Sequence, residues 1–284
     1  MSDEAPSNAN IADAPHALAD GLYAGKVALV TGGGSGIGAA TVWLLARLGA
    51  RIAFCGRTPE RLAATEATLR AAGHDAFGMV ADIRDEDALA ALFARIATDY
   101  GPLDLVVNNA GGQYPQAMAD FRPKGWRAVI EANLTGPWLV MQAAAQRWIA
   151  AQRGGAIVNL VAANARGMPG IAHSSAARAG VINLSRTAAV EWAEHGIRVN
   201  CVAPGLIATG GLDSYPPEAR AHFVDANPQR RAGDPFEVAQ AIAFLGSSAG
   251  SYITGATLTI DGGGSLSGEL WTHRAPPYGQ DKLL

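Results

Sequence analysis

The chain has 284 residues, of which 49% are hydrophobic and 17% charged, and its formal net charge is −3. That composition supplies ample apolar surface for a large buried core, and the weak negative balance gives no electrostatic reason to expect nucleic acid or an anionic membrane as a partner. No apolar run reaches the roughly 18 residues that a membrane-spanning helix needs.

Residues 1–22 open acidic, polar and Ala-rich, without the basic start and apolar block of a secretory leader, and are expected to form a mobile tail. From there apolar runs alternate with helical patterns. Lys26–Thr31, Arg51–Gly56, Phe77–Asp82, Leu103–Asn108, Ala156–Val161, Arg198–Ala203 and Thr257–Asp261 read as strands, each short and apolar on both faces. Gly38–Leu48, Pro59–Ala72 and Asp85–Tyr100 read as helices between them. The alternation predicts an α/β fold, a doubly wound parallel sheet (Rossmann fold) of about seven strands with helices on both faces. Residues 23–266 are expected to form a single domain, with an irregular lid over 208–231 and a tail over 267–284. Cys55 and Cys201 fall in predicted strands and are expected to stay reduced, which suits a cytoplasmic protein. The six histidines show no metal-ligand spacing, and no metal is expected.

Thr31, Gly32, Gly34, Ser35, Gly36, Ile37 and Gly38 lie between the first strand and the first helix, the setting of a phosphate-binding turn. Glycines admit the pyrophosphate close to the backbone, and the helix N-terminus offers free N–H groups to it. Strand two ends at Gly56-Arg57, where a carboxylate would favour NAD. Arg57 can instead pair with a 2′-phosphate, so the expected cofactor is NADP(H).

VTGGGSGIG (Val30–Gly38), VNNAG (Val107–Gly111) and IRVNCVAPG (Ile197–Gly205) together resemble the short-chain dehydrogenase/reductase family, over roughly Ala24 to Leu266. The resemblance implies that Asp82 with Ile83 meets the adenine, that Asn108, Ala110 and Gly111 line the cofactor, and that Pro204, Gly205 and Ile207 adjoin the nicotinamide. It also implies a dimer or tetramer. Trp126, Trp138, Trp148 and Trp192, on the helices after the fourth and fifth strands, are candidates for its apolar interface.

At its catalytic centre the chain departs from the family. Where the family carries Tyr-x-x-x-Lys this chain has Ser174 and Arg178, and Val161 stands in the usual serine slot. Asn133 matches the family's asparagine. No lysine lies near the site, and no tyrosine lies between Tyr114 and Tyr215. Four residues apart, Ser174 and Arg178 share a helix face. Arg178 keeps a positive charge beside the nicotinamide ribose but passes no proton, and Ser174 donates a hydrogen bond yet is a poor acid. Ketone reduction needs a competent acid at the alkoxide. Reduction of a double bond conjugated to a thioester is less demanding, because hydrogen bonds stabilise the enolate until water protonates the α carbon.

HSSAARAGVINLSR, NNAGGQYPQA and GWRAVIEANLTG are similar to the peroxisomal trans-2-enoyl-CoA reductases and the related 2,4-dienoyl-CoA reductases, which implies an NADPH-dependent reductase of enoyl-CoA thioesters in fatty acid metabolism. The tyrosine often proposed as donor in that branch is Ile182 here. Gln113 is a candidate amide donor to the thioester oxygen, and Tyr114 or Tyr215 a surrogate acid for a carbonyl or 3-oxoacyl reductase. His173 adjoins Ser174 but points about 100° away on a helix, so a Ser–His nucleophile is not expected. Arg220, Arg230 and Arg231 are candidates for CoA phosphates. With three of four usual catalytic side chains missing, a non-catalytic NADP(H)-binding protein is the reading from another class.

Overall fold

A computed structural model describes residues 14–163, 166–214 and 227–266. Tyr215, Arg220 and the expected C-terminal tail lie outside the described residues, as does most of the expected N-terminal tail.

Seven strands form one parallel sheet: β1 (Val27–Thr31), β2 (Arg51–Gly56), β3 (Ala76–Val80), β4 (Leu105–Asn108), β5 (Gly155–Leu160), β6 (Ile197–Pro204) and β7 (Thr257–Ile260). Their order across the sheet is β3-β2-β1-β4-β5-β6-β7. Helices α1 (Gly36–Arg47), α2 (Pro59–Ala71), α3 (Glu86–Asp99), α4 (Pro123–Ile130), α5 (Gly136–Ala150), α6 (Ala172–Glu191) and α7 (Pro235–Gly246) connect them.

The apolar runs are continuous because alternate residues serve two cores. Ala28 and Val30 of β1, Ile52 and Phe54 of β2 and Val107 of β4 pack under Leu44, Leu45, Val238 and Ile242 of α1 and α7. Val27 and Leu29, with Ala53, Cys55 and Val106, face the opposite way onto Leu92, Phe93, Met141 and Trp148 of α3 and α5. Cys55 and Cys201 are both buried and free. Trp148 belongs to this core and donates from Nε1 to the Leu103 carbonyl at 2.7 Å, whereas Trp138 is 40% exposed. Among the described residues, no helix is long and apolar enough to cross a membrane.

Local chemistry sets the helix starts. Asp85 caps α3 by accepting from the Asp87 and Ala88 N–H groups. Pro235 opens α7 behind a capping box between Asp234 and Glu237. At the other end of α7, the Arg198 guanidinium donates to the carbonyls of Leu245, Gly246, Ser247, Gly250 and Ile253, tying that terminus to β6.

Strand order reverses between β1 and β4, and a doubly wound sheet opens its ligand crevice at such a point, beyond the strands' carboxyl ends. A cleft of about 1090 Å³ lies there.

Candidate active site

The floor of the cleft is the β1–α1 turn. A Cβ on Gly38 would stand 2.1 Å from the Gly32 carbonyl oxygen and 2.4 Å from Asn109 Nδ2, so only glycine lets α1 begin this close to the strand. Gly34, Ser35, Gly36 and Ile37 line the cleft, and Ser35 at the N-cap makes no side-chain capping bond. The helix therefore presents its first N–H groups to the crevice, as a pyrophosphate site requires. Thr31 is fully buried. Its Oγ1 accepts from the N–H groups of Asn109 and Ala110 at 3.1 and 3.0 Å, which fixes the β4 turn over β1.

The structure corrects one assignment in that turn. Asn108 is buried and donates to the Pro137 carbonyl at 3.2 Å and to Asn159 Oδ1 at 2.9 Å, so it faces the layer beneath the sheet. β4 and β5 place it directly opposite Asn159. Its neighbour Asn109 takes the cleft position and donates to the carbonyls of Thr31 and Gly32. Strand alternation decides between the two, since adjacent residues leave a strand on opposite faces.

Toward the end of β2 the rim is cationic, with Arg57, Arg61 and Arg84 all lining the cleft. Arg84 donates to both carboxylate oxygens of Asp82, at 2.9 and 2.5 Å. Those bonds hold the Asp82 carboxyl down at about 2, so it is an anion already satisfied by protein. Ile83 is buried in the same wall. Arg61 and Arg84 went unread in the sequence because they sit on helix and loop positions that carry no motif.

At the other end of the cleft lie Ala110, Gly111, Gly112, Gln113 and Tyr114. Asn133, Ser174 and Arg178 stand directly behind them, 0%, 2% and 8% exposed. A π-helical turn over Glu131–Thr135 separates α4 from α5 and carries Asn133 inward. Its side chain exchanges two 2.9 Å bonds with the Gly112 backbone, and its Nδ2 also donates to Ser174 Oγ at 3.1 Å. Because Ser174 Oγ accepts there, its own proton is left to donate elsewhere. Arg178 donates from Nη1 to the Leu160 carbonyl. Its Nη2 lies so close beneath Gly111 that a Cβ there would stand 2.4 Å away. Desolvation lowers the guanidinium pKa to about 10, which still leaves a full cation at neutral pH. Val161 packs with Val181, Cys201 and Ala203 as an apolar wall.

Other expected residues are placed differently. The Tyr114 hydroxyl rests on α4, where a Cβ on Gly125 would meet it at 2.1 Å, and its ring packs against Phe121 and His173. His173 Nδ1 accepts from the Ser174 backbone N–H rather than from Oγ, so no Ser–His nucleophile pair forms. Gly205 is turned against Asp261, and Ile207 lines a separate cavity of about 320 Å³. Among the described residues, the main cleft is closed on that side by Thr209, Gly210 and Gly211, not by Pro204, Gly205 or Ile207. Arg231 forms two bonds to the Glu237 carboxylate, at 2.8 and 2.7 Å, and is a structural partner of the α7 cap. Arg230 is exposed, with a φ of 50°.

Residues 32–265 match the family described as enoyl-(acyl carrier protein) reductase. The chain is 45% identical to a cis-4-hydroxycyclohexanecarboxylate dehydrogenase of Sinomonas cyclohexanicum, over 85% of this chain and 97% of that protein. It is 38% identical to a probable 2,4-dienoyl-CoA reductase of Bacillus subtilis, over 84% of this chain and 96% of that one. In structure it is similar to a citronellol catabolism dehydrogenase of Pseudomonas aeruginosa, with a TM-score of 0.79 at 41% identity, covering 88% of this chain and 98% of that chain. Parallel sheet, glycine turn and matched sequence converge: the chain belongs to the short-chain dehydrogenase/reductase family and is an oxidoreductase of that type.

Proposed function

We propose that this oxidoreductase uses NADPH to reduce the C=C bond of 2-enoyl-CoA thioesters. One observation carries the reading: a hydroxyl and a buried guanidinium, Ser174 and Arg178, replace a phenol and an ammonium behind the cleft, and Asn133 orients the hydroxyl at 3.1 Å.

The cofactor assignment rests on the rim. Arg57 and Arg61 are exposed at the mouth of the cleft, and Asp82 is neutralised by Arg84, so cations face the place where a 2′-phosphate would sit. The free N–H groups at the start of α1 and the glycine floor fit the pyrophosphate. When bound, NADPH supplies the hydride.

The chain's own residues answer the charge that the reaction develops. Ser174 Oγ–H donates to the thioester oxygen as the enolate forms, and Asn133 keeps Oγ in place for it. Arg178 sets a fixed positive charge behind the Gly111 backbone, in surroundings dry enough to strengthen its effect. Gln113 lines the cleft, and in this reading it makes a second contact to the thioester. The α carbon takes its proton from water, because none of these residues is an effective acid. Ser174 is buried, and the Gly112–Phe121 segment, bonded through Gly112 to Asn133, is latched to the loop before α6 by the Gln116 N–H donating to the Gly170 carbonyl at 2.7 Å.

The dehydrogenase names of two similar proteins favour a second reading, interconversion of a secondary alcohol and a ketone. That chemistry needs an acid–base group, and the Tyr114 hydroxyl is turned onto Gly125. NADPH oxidation with 2-enoyl-CoA and 3-oxoacyl-CoA esters side by side decides between the readings. Turnover confined to the enoyl esters is expected, and turnover confined to the oxo esters overturns the proposal. The same protein is expected to be a homo-oligomer, which light scattering at micromolar concentration tests.

A further inference from the structure

His173 has no part in the reaction just described, yet it is fully buried beside Ser174. α6 begins at Ile171, an N-cap residue whose side chain cannot accept a hydrogen bond. The first turn of a helix leaves N–H groups without intrahelical partners. One of them, the Ser174 N–H, is taken at 2.8 Å by His173 Nδ1 from inside the turn. With Nδ1 accepting, the neutral ring carries its proton on Nε2, which is buried without a hydrogen-bond partner among the described residues.

Besides the Ile171 backbone at the start of α6, the ring meets two aromatic side chains of the Gly112–Phe121 segment, the lip of the cleft. Phe121 packs tilted against it at 4.3 Å between centroids, and Tyr114 meets it at 4.7 Å and nearly perpendicular. The same segment reaches Ser174 by a second route, since Gly112 is bonded to the Asn133 amide that donates to Ser174 Oγ. Ser174 is thus held twice by the Gly112–Phe121 segment. Its hydroxyl is held through Asn133 and its backbone through His173. Core filling alone would not select an imidazole here, because phenylalanine fills the same aromatic cage without accepting from Ser174.

We propose that His173 is a positioning residue, which caps the first turn of α6 in place of Ile171 and sets the Ser174 hydroxyl through the aromatic lip that receives the substrate. The proposal rests on the reading of Ser174 as the donor to the substrate oxygen. It extends that reading by making the lip, and not α6 alone, responsible for where the hydroxyl points.

Two variants separate acceptor from ring. His173→Phe keeps the aromatic packing and removes the acceptor, and His173→Asn keeps a short acceptor and removes the ring. With whichever of the enoyl-CoA or 3-oxoacyl-CoA esters is turned over, His173→Phe is expected to lower kcat roughly five- to tenfold with NADPH Kd within about twofold. His173→Asn is expected to restore kcat and raise the ester KM instead. In a Ser174→Ala background the His173→Phe change should cost less than about twofold more, since residues acting through one another are not additive. Additive losses, or parallel losses of kcat and NADPH affinity in both variants, overturn the proposal. If neither ester is turned over, the proposed reaction falls and amide exchange decides the His173 link separately. The peptide across the first turn of α6 should exchange faster in His173→Phe than in the wild type or His173→Asn, and equal protection in all three overturns it.

Discussion

At the β1–α1 turn the cleft is shaped mainly by backbone: a Cβ on Gly38 would run into the Gly32 carbonyl, and Thr31 pins the β4 turn. Behind the β4 turn it is shaped by side chains, with Asn133, Ser174 and Arg178 packed against Gly111 and Gly112. A backbone site admits almost no substitution, because steric exclusion leaves only glycine. A side-chain site can exchange one hydrogen-bonding group for another and keep its frame. Chemistry can therefore change at one end of the cleft while the cofactor end stays fixed.

The comparison breaks most severely at Gly38. A valine there drives a branched side chain into the Gly32 carbonyl and the Asn109 amide. Overpacking against backbone costs about 1–3 kcal/mol or more, and the α1 N-terminus must move. Gly38→Val should abolish measurable NADPH binding by fluorescence titration and lower the Tm. An intact Kd would show that the turn is not the cofactor's floor.

Arg178 comes next. Removing a buried cation with a carbonyl partner, as in Arg178→Met, is expected to lower kcat/KM roughly 100-fold, within the range for loss of one oxyanion-stabilising group. Arg178→Lys should recover only part of this. A lysine brings one charged nitrogen and no planar fork, so it cannot both reach Leu160 and underlie Gly111. Full activity in the methionine variant would remove Arg178 from the proposed reaction. At the opposite end, Arg57→Ala should weaken NADPH binding about tenfold, the value of roughly one charge-assisted hydrogen bond, and leave NADH binding unchanged. Equal weakening of both would place Arg57 outside the 2′-phosphate contact.

These two ends were not equally legible in sequence. β2 begins and ends at Arg51 and Gly56 as its apolar run implies, and the other strands lie within two residues of expectation. Burial on both faces writes itself into continuous runs. The glycine turn was legible for the same reason that it is intolerant. Asn108 and Asn109 were not separable from a motif alone, since which one faces the cleft depends on the pleat of β4 against β1 and β5. Ile207 was displaced because a bridge to Gly233 turns it into the second cavity, a long-range pairing without local signal. Tyr114 looked available because nothing local reveals Gly125, the residue that gives its hydroxyl room on α4.

The smallest expected effect sharpens the comparison through pH. Burial lowers the pKa of His173, and burial with the nearby Arg47 cation lowers that of His74, which packs edge-on against Trp43 of α1. A histidine whose folded pKa lies below its unfolded value of about 6.5 binds fewer protons folded than unfolded in that interval. Stability is therefore complete above roughly pH 6.5 and falls as the pH drops through the folded pKa. The Tm should decline between about pH 7 and pH 5, and either His74→Gln or His173→Asn should flatten the decline. The two differ in rate. Protonating His173 removes the acceptor of the Ser174 N–H, so kcat of the wild type should also fall on the acid side, and His173→Asn should flatten that limb. His74 lies on the scaffold, away from the cleft lining, so His74→Gln should leave the limb in place. An acid limb that survives in His173→Asn and disappears in His74→Gln would reverse the assignment and move the proton-sensitive part of the molecule from the lip to the scaffold.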